Sequence, residues 1–351
     1  MTATRVGGNV LLLVIACVLT FATLEAGLRL LLDVDELLPN EPSKPALNER
    51  RNELRFYVEN RDRSADSLGG HDPWLGWDSS YGESRVRGVA VIPPKSGTRA
   101  VALGDSFVYG NEVGPEENFA ALLDRADNGL EVLNLGVPGY GIDQSWLKYL
   151  RHGEPLDPDI VIFGIYVADY ERATVAFTAA AKPLFAERDG GWVPTGQPVP
   201  APAESLARIA RSLEGRSRLL DFFRYRLAAI PDTTASFFTH GDAIARHVLG
   251  SLAIAVLPGR RLLIVHIPRG ESFTAKDPFD AAMNDHLLAI YRELSLPVVD
   301  LGAEFLARTA ADEAAARYYV VRESGSVGHL NAQGHRVAAA AIGSALERRT
   351  P

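Results

Sequence analysis

Three residues in this chain have the types and surroundings for nucleophilic chemistry. Ser106 lies in Val101-Ala102-Leu103-Gly104-Asp105-Ser106-Phe107-Val108-Tyr109-Gly110, where a short apolar run ends in a tight turn. A serine on a sharp strand-to-helix turn presents its hydroxyl and keeps its backbone N–H available. Gly-Asp-Ser alone says little, because all three are ordinary turn residues. Gly139 lies in Asn134-Leu135-Gly136-Val137-Pro138-Gly139-Tyr140-Gly141, whose glycines let backbone N–H groups approach a substrate oxygen. A plain loop would have the same composition. His329 lies in Gly328-His329-Leu330-Asn331-Ala332-Gln333-Gly334-His335. Asn331 is a natural N-cap, so His329 is expected in a loop just ahead of the last helix. His335 falls inside that helix and reads as structural. A serine, a histidine base and backbone donors together suit acyl transfer.

The intervening pattern supplies the frame. Short apolar runs at Arg99–Leu103, Glu131–Leu135, Asp159–Ile165, Arg261–His266 and Pro297–Leu301 read as strands. Helical stretches are expected at Asn118–Arg125, Gln144–His152, Pro278–Leu294 and Asn331–Arg348. Such alternation predicts a three-layer α/β sandwich around a five-stranded parallel sheet, with chemistry at the carboxyl ends of the strands. Ser106 falls at such an end. Residues 170–258 are too long for a simple crossover and read as an insertion, a lid or partner surface or else extra packing. Asp189-Gly190-Gly191 marks a hairpin turn there, and Ala203–Gly250 reads as helical with a break at Pro231.

Residues 1–9 precede an apolar segment, Val10 to Leu32, long enough as a helix to span roughly 35 Å. Glu25 and Arg29, four apart with the acid first, share a helix face and can pair. A retained transmembrane signal-anchor is preferred. A cleaved signal peptide lacks a clean small-residue site. A lipoprotein cleaved before Cys17 would leave strongly apolar residues where a polar tether belongs. Arg5 inside against Asp33, Asp35 and Glu36 outside favours a single pass with the main domain outside the cytoplasm. Residues 33–97, with Pro39, Pro42 and Pro45, read as a juxtamembrane stalk and extended segment. Trp74-Leu75-Gly76-Trp77 within it is expected to pack on the main domain at 98–349.

Composition narrows the classes. Net charge is -8 with no basic cluster, which argues against a nucleic-acid partner. Cys17 is the single cysteine, so no intrachain disulfide forms. There is no His-Glu-x-x-His spacing, and neither a metal nor a cofactor is expected.

Taken in this order, the Ser106, Gly139 and His329 blocks resemble the SGNH (GDSL-type) hydrolase superfamily over about residues 98 to 349. Arg29 within Leu24–Arg29, the Trp74–Trp77 segment and Gly139-Tyr140-Gly141-Ile142-Asp143-Gln144 resemble a membrane-anchored bacterial branch of it. The resemblance implies an SGNH/flavodoxin-like fold, Ser106 as nucleophile and His329 as its base. It also implies an oxyanion hole made by the N–H groups of Ser106 and Gly139. The implied reaction is hydrolysis or transfer of an acyl ester, acetyl among them, of a carbohydrate or lipid, by an esterase of the cell envelope.

Two positions depart from the family. Ala168 in Tyr166-Val167-Ala168-Asp169 stands where an asparagine donor belongs, a loss on the order of 3 kcal/mol in transition-state stabilisation. Ser326 and Val327 stand where an aspartate usually precedes the histidine. Glu323 is the candidate acid; a backbone carbonyl or a bare Ser-His dyad are the other readings. These departures leave a second function open: a catalytically weak or inactive binding or scaffold protein of the envelope on the same fold.

Overall fold

A computed structural model describes residues 3–31, 34, 38, 44–63, 70–78, 84–126, 129–213, 217–223, 233–256, 259–273 and 278–348. The expectations placed on Asp33, Asp35, Glu36, Pro39, Pro42 and Pro231 lie outside these residues. In chain order the elements that concern the site begin with helices α1 (Ala3–Leu31) and α2 (Pro45–Asn60). Next come strand β1 (Thr98–Leu103), the one-turn helix α3 (Ser106–Tyr109), α4 (Phe119–Asp124), β2 (Leu130–Asn134) and α5 (Ile142–Lys148). β3 (Ile160–Tyr166) and α6 (Val167–Arg172) follow, then the hairpin β4 (Leu184–Arg188) and β5 (Gly191–Thr195). Helices α7 (Pro202–Leu213), α8 (Arg218–Phe222) and α9 (Thr233–Val256) complete the insertion. The chain closes with β6 (Arg261–Ile267), α10 (Pro278–Glu293), β7 (Val298–Asp300), α11 (Leu301–Leu306), α12 (Ala311–Tyr318), the strands β8 (Tyr319–Val321) and β9 (Val327–Leu330), and α13 (Ala332–Glu347).

The five-stranded sheet has the order β2-β1-β3-β6-β7, and every pair in it is parallel. The middles of its strands are apolar on both faces because both faces are covered, with polar residues confined to the ends. Val101, Leu103, Val161, Phe163, Leu262 and Ile264 point into one core with α5, α9 and α10. Ala100, Ala102, Ile160, Ile162, Leu263 and Val265 point into the other with α4, α11, α12 and α13. The alternation by single residues is the period-2 pleat of a strand. The chain leaves β1 for β2 on one side and returns to β3 on the other. The carboxyl end of β1 is therefore a topological switch point, where open α/β sheets place ligand crevices.

The expected strands are present with ends shifted by a residue or two, as are the helices expected at Asn118–Arg125, Pro278–Leu294 and Asn331–Arg348. The stretch expected at Gln144–His152 is α5, which ends at Lys148 and runs on into a wider turn over Tyr149–Gly153, and the stretch expected at Ala203–Gly250 holds the separate helices α7, α8 and α9. Two further features depart from expectation. Pro45–Asn60, read as part of a stalk, is a helix: Leu47 and Leu54 are buried on it, and it packs along α7. His329 lies on a short strand, β9, paired antiparallel with β8, rather than in an open loop. The segment Asn9–Arg29 of α1 is long and apolar enough to cross a membrane, and Arg29 Nε meets Glu25 Oε1 at 2.5 Å.

Candidate functional site

Ser106 is the first residue of α3, directly beyond β1. Asp105 caps the helix by accepting the Phe107 N–H at 2.8 Å. A first-turn N–H has no acceptor within its own helix, so that of Ser106 is aimed outward. Ser106 itself is 5% exposed. Its Oγ lies 2.9 Å from His329 Nε2, hydrogen-bond distance for a hydroxyl and an imidazole. The Phe107 ring lies 4.9 Å from the imidazole and stacks at 4.2 Å on Tyr166, which limits where the imidazole can swing.

The carboxylate behind the imidazole is Glu112, not Glu323. Glu112 Oε2 lies 3.3 Å from His329 Nδ1 and accepts the His329 backbone N–H at 2.9 Å. Arg322 pairs with the other oxygen, Oε1. Glu323 sits exposed in the turn between β8 and β9. Burial pushes the Glu112 carboxyl up, but the His329 N–H, its imidazole and the Arg322 charge outweigh that and hold it below the usual carboxylate range. The carboxylate therefore arrives from the loop after the serine rather than from the histidine's own strand. Its backbone is left-handed, with φ 68°, an uncommon state for a residue with a side chain. Arg87 braces this loop by donating to the carbonyls of Gly110 at 2.7 Å and Val113 at 3.0 Å. Neither Glu112 nor Arg87 stands in a recognisable motif, and their spacing from Ser106 carried no signal.

Gly139 closes a turn, Val137-Pro138-Gly139-Tyr140, in which the Tyr140 N–H reaches the Val137 carbonyl at 3.3 Å. Its φ of 83° at the position after proline is the left-handed state that favours glycine there. The Val137 N–H donates to the Gly104 carbonyl at 3.0 Å and ties this turn to the serine turn. The Trp74–Trp77 segment packs on it as expected. Leu75 is buried with Val137 and Tyr140, and Trp77 Nε1 donates to the Pro138 carbonyl at 3.0 Å.

Ala168 supplies no side-chain donor in the position after β3. One turn later, Arg172 Nη1 donates to Asp105 Oδ2 at 2.8 Å, Asp169 Oδ1 at 2.7 Å and the Tyr140 carbonyl at 3.1 Å. This single guanidinium thus joins the loops after β1, β2 and β3. Burial and the adjacent Asp105 charge push the Asp169 carboxyl well above its ordinary value, although Arg172 opposes them. A cleft of about 530 Å³ opens beside these loops, walled by Gly139, Tyr166, Ala168 and Arg172 on one side and by Asn52 and Arg55 of α2 on another. Ser106 is not in its wall; two wall residues lead toward it, Tyr166 through its stack on Phe107 and Gly139 through the Val137–Gly104 hydrogen bond of its turn. Insertion residues Thr174 and Thr178 contribute a further edge.

His335 is fully buried in α13, where Nδ1 accepts the Phe119 N–H at 3.2 Å. Burial, with the Arg87 and His329 charges, lowers its pKa to about 3, so it is held neutral. The carboxylates of Asp72 and Asp78 and the imidazole of His152 lie within 4.8 Å of one another. Arg85 reaches both Asp72 and Asp78, and Lys148 pairs with Asp78, so protein cations already neutralise that cluster.

The sequence matches the GDSL-like lipase/acylhydrolase family over residues 102–337. No match is found among curated protein sequences. Solved structures similar to this chain include a lipolytic protein of the G-D-S-L family from Veillonella parvula, 12% identical, covering 72% of this chain and 99% of that one, with a TM-score of 0.42. Another is Axe2, an acetylxylan esterase from Geobacillus stearothermophilus, 16% identical, covering 72% and 94%, with a TM-score of 0.41. A third is LAE5, an alpha/beta hydrolase enzyme from the metagenome of Lake Arreo, 14% identical, covering 73% and 98%, with a TM-score of 0.42.

Proposed function

Because this chain belongs to the GDSL-like lipase/acylhydrolase family, we propose that it is a serine acyl hydrolase or acyltransferase held on the outer side of a membrane by α1. The observation that carries the reading is the Glu112–His329–Ser106 line of hydrogen bonds. In it Ser106 Oγ attacks the ester carbonyl carbon while its proton passes to His329 Nε2. Glu112 accepts from Nδ1–H, which fixes the tautomer and stabilises the imidazolium that forms. The N–H groups of Ser106 and Gly139 donate to the oxyanion. Collapse of the tetrahedral intermediate expels the alcohol, which takes the proton from His329. Water, or an acceptor hydroxyl, then releases the acyl group by the same steps in reverse.

The walls of the cleft favour a hydroxyl-rich alcohol over a second acyl chain. Asn48, Asn52, Arg55 and Arg172 make the lining polar, while large apolar side chains are few. An acyl ester of a carbohydrate, with a small acyl group such as acetyl, suits that lining. Ala168 leaves two backbone donors rather than three groups at the oxyanion, which favours modest turnover.

The test is labelling of purified full-length protein with a fluorophosphonate and turnover of p-nitrophenyl acetate, each compared with Ser106→Ala. Labelling and turnover that vanish in the variant support the reading. A wild-type protein inert to both sinks it and leaves the scaffold reading, under which Ser106→Ala would also keep its cellular role.

A further inference from the structure

The insertion does more than flank the cleft: its helix α8 is fastened to the outer end of α1. Glu25 accepts from the Ser217 hydroxyl at 2.5 Å and from the backbone N–H groups of Arg218 and Leu219 at 2.9 Å each. A carboxylate at the first turn of a helix satisfies N–H groups that have no other acceptor, and its charge suits the helix dipole. An apolar cluster seals the joint. Leu28 of α1 and Phe222 of α8 pack against buried Val34, Leu38, Leu47 and Leu54. Arg50 of α2 extends the tie, 3.8 Å from Asp221 of α8 and hydrogen-bonded to Ser212 of α7 at 3.1 Å.

Past this joint α8 and Phe223, the residue that caps it, turn apolar side chains outward. Leu220 is 60% exposed, and Phe223, edge-on to Phe222, is 48% exposed. They follow directly on the residues that Glu25 holds. One turn further into α1, Leu24 and Phe21 are also exposed, at 50% and 43%. Leu24 and Leu220 each adjoin a residue of the joint, Glu25 and Leu219, so both exposed side chains flank it. Arg29 and Arg218 both meet Glu25, one through its guanidinium and the other through its backbone N–H, and two cations at this joint match the phosphates of a lipid headgroup layer. We propose that α8 with its cap Phe223 is a lipid-interface anchor, with Leu220 and Phe223 seated at the headgroup–acyl boundary beside α1. Its further consequence is orientation. Through Arg50 and the Leu47–Leu54 cluster the anchor fixes α2, the wall of the cleft, against the bilayer surface. This inference rests on α1 being a membrane span and is independent of the chemistry at Ser106.

The test uses full-length protein with Cys17→Ser in phosphatidylethanolamine–phosphatidylglycerol vesicles. Nitroxides are attached at Leu220→Cys or Phe223→Cys, and at Val91→Cys, an 82% exposed control near the amino end of the sheet. Collision of the nitroxide with oxygen and with a water-soluble nickel chelate is then measured. The oxygen-to-nickel ratio is expected to be several-fold higher at 220 and 223 than at 91. Equal ratios in protein that floats with the vesicles would overturn the anchor. So would labels at 220 and 223 shielded from both reagents, since a protein partner or second copy would then cover them. Protein that fails to float overturns the membrane span and this inference with it, leaving the Ser106 labelling result unaffected.

Discussion

A methyl group on Gly328 would stand 2.5 Å from Glu112 Oε2, the oxygen that faces His329 Nδ1. The histidine strand thus accommodates its acid only because the residue before His329 has no side chain. Gly328→Ala is expected to push the Glu112 carboxylate aside without disturbing the core, since Gly328 is only partly buried. kcat on p-nitrophenyl acetate should fall by about a hundredfold, the usual cost of a misplacement near 1 Å. Unchanged kcat in a folded variant would show that Glu112 does not serve His329.

Removing the acids separates the two glutamates. Glu112→Gln should lower kcat by roughly 10²- to 10⁴-fold with little change in KM, as loss of an imidazole-orienting carboxylate does. Glu323→Gln, at the exposed hairpin turn, should stay within about twofold of wild type, like most surface substitutions. The reverse pattern would restore Glu323 as the acid.

Arg172 is expected to be a stability hinge as well as a positioning residue. Arg172→Gln leaves Asp105 and Asp169, both buried, without the guanidinium they share. Breaking such a pair from one side costs about 3–5 kcal/mol. The urea midpoint should drop accordingly. Asp169→Asn in the Arg172→Gln background should recover part of the loss by ending the repulsion between two buried carboxyls, Asp105 and Asp169. A midpoint within error of wild type for Arg172→Gln would refute the role.

The buried His335 predicts a pH dependence of stability. Its native pKa is about 3, below the ordinary histidine value near 6.5. Between those values the unfolded chain binds a proton that the native state does not. Stability is therefore full above the unfolded pKa and declines as pH falls toward 3, by about 1.4 kcal/mol per pH unit from this group. Denaturant titrations between pH 4.5 and 7.5 should show wild type losing stability faster than His335→Gln. Parallel curves would exclude His335 as the source.

Much of the fold was legible because burial on both faces forces unbroken apolar strands, and these were readable at Val101–Leu103 and Ile160–Ile165. The lengths of the amphipathic stretches did the same for α10 and α13. The helix α2 was less legible. Its charged stretch Asn48-Glu49-Arg50-Arg51-Asn52-Glu53 looks like a solvated stalk, yet Arg50 and Glu53 are buried against α7 and α8. A charge that is buried by pairing across long separations leaves no periodic signature.

The sequence by itself determined the sheet and the two polar ends of the candidate site. Ser106 and His329 sit in local contexts, a strand-to-helix turn and the approach to an N-capped helix, that nearby residues specify. It could not determine which carboxylate meets His329. Glu323 is six residues from the histidine and Glu112 is 217 residues away, but a hairpin carries Glu323 into its own turn while the sheet brings the two loops together. Nor could it determine that Glu25 fastens the insertion to α1. Both contacts join segments far apart in the chain, and only the packing of the folded domain sets those distances.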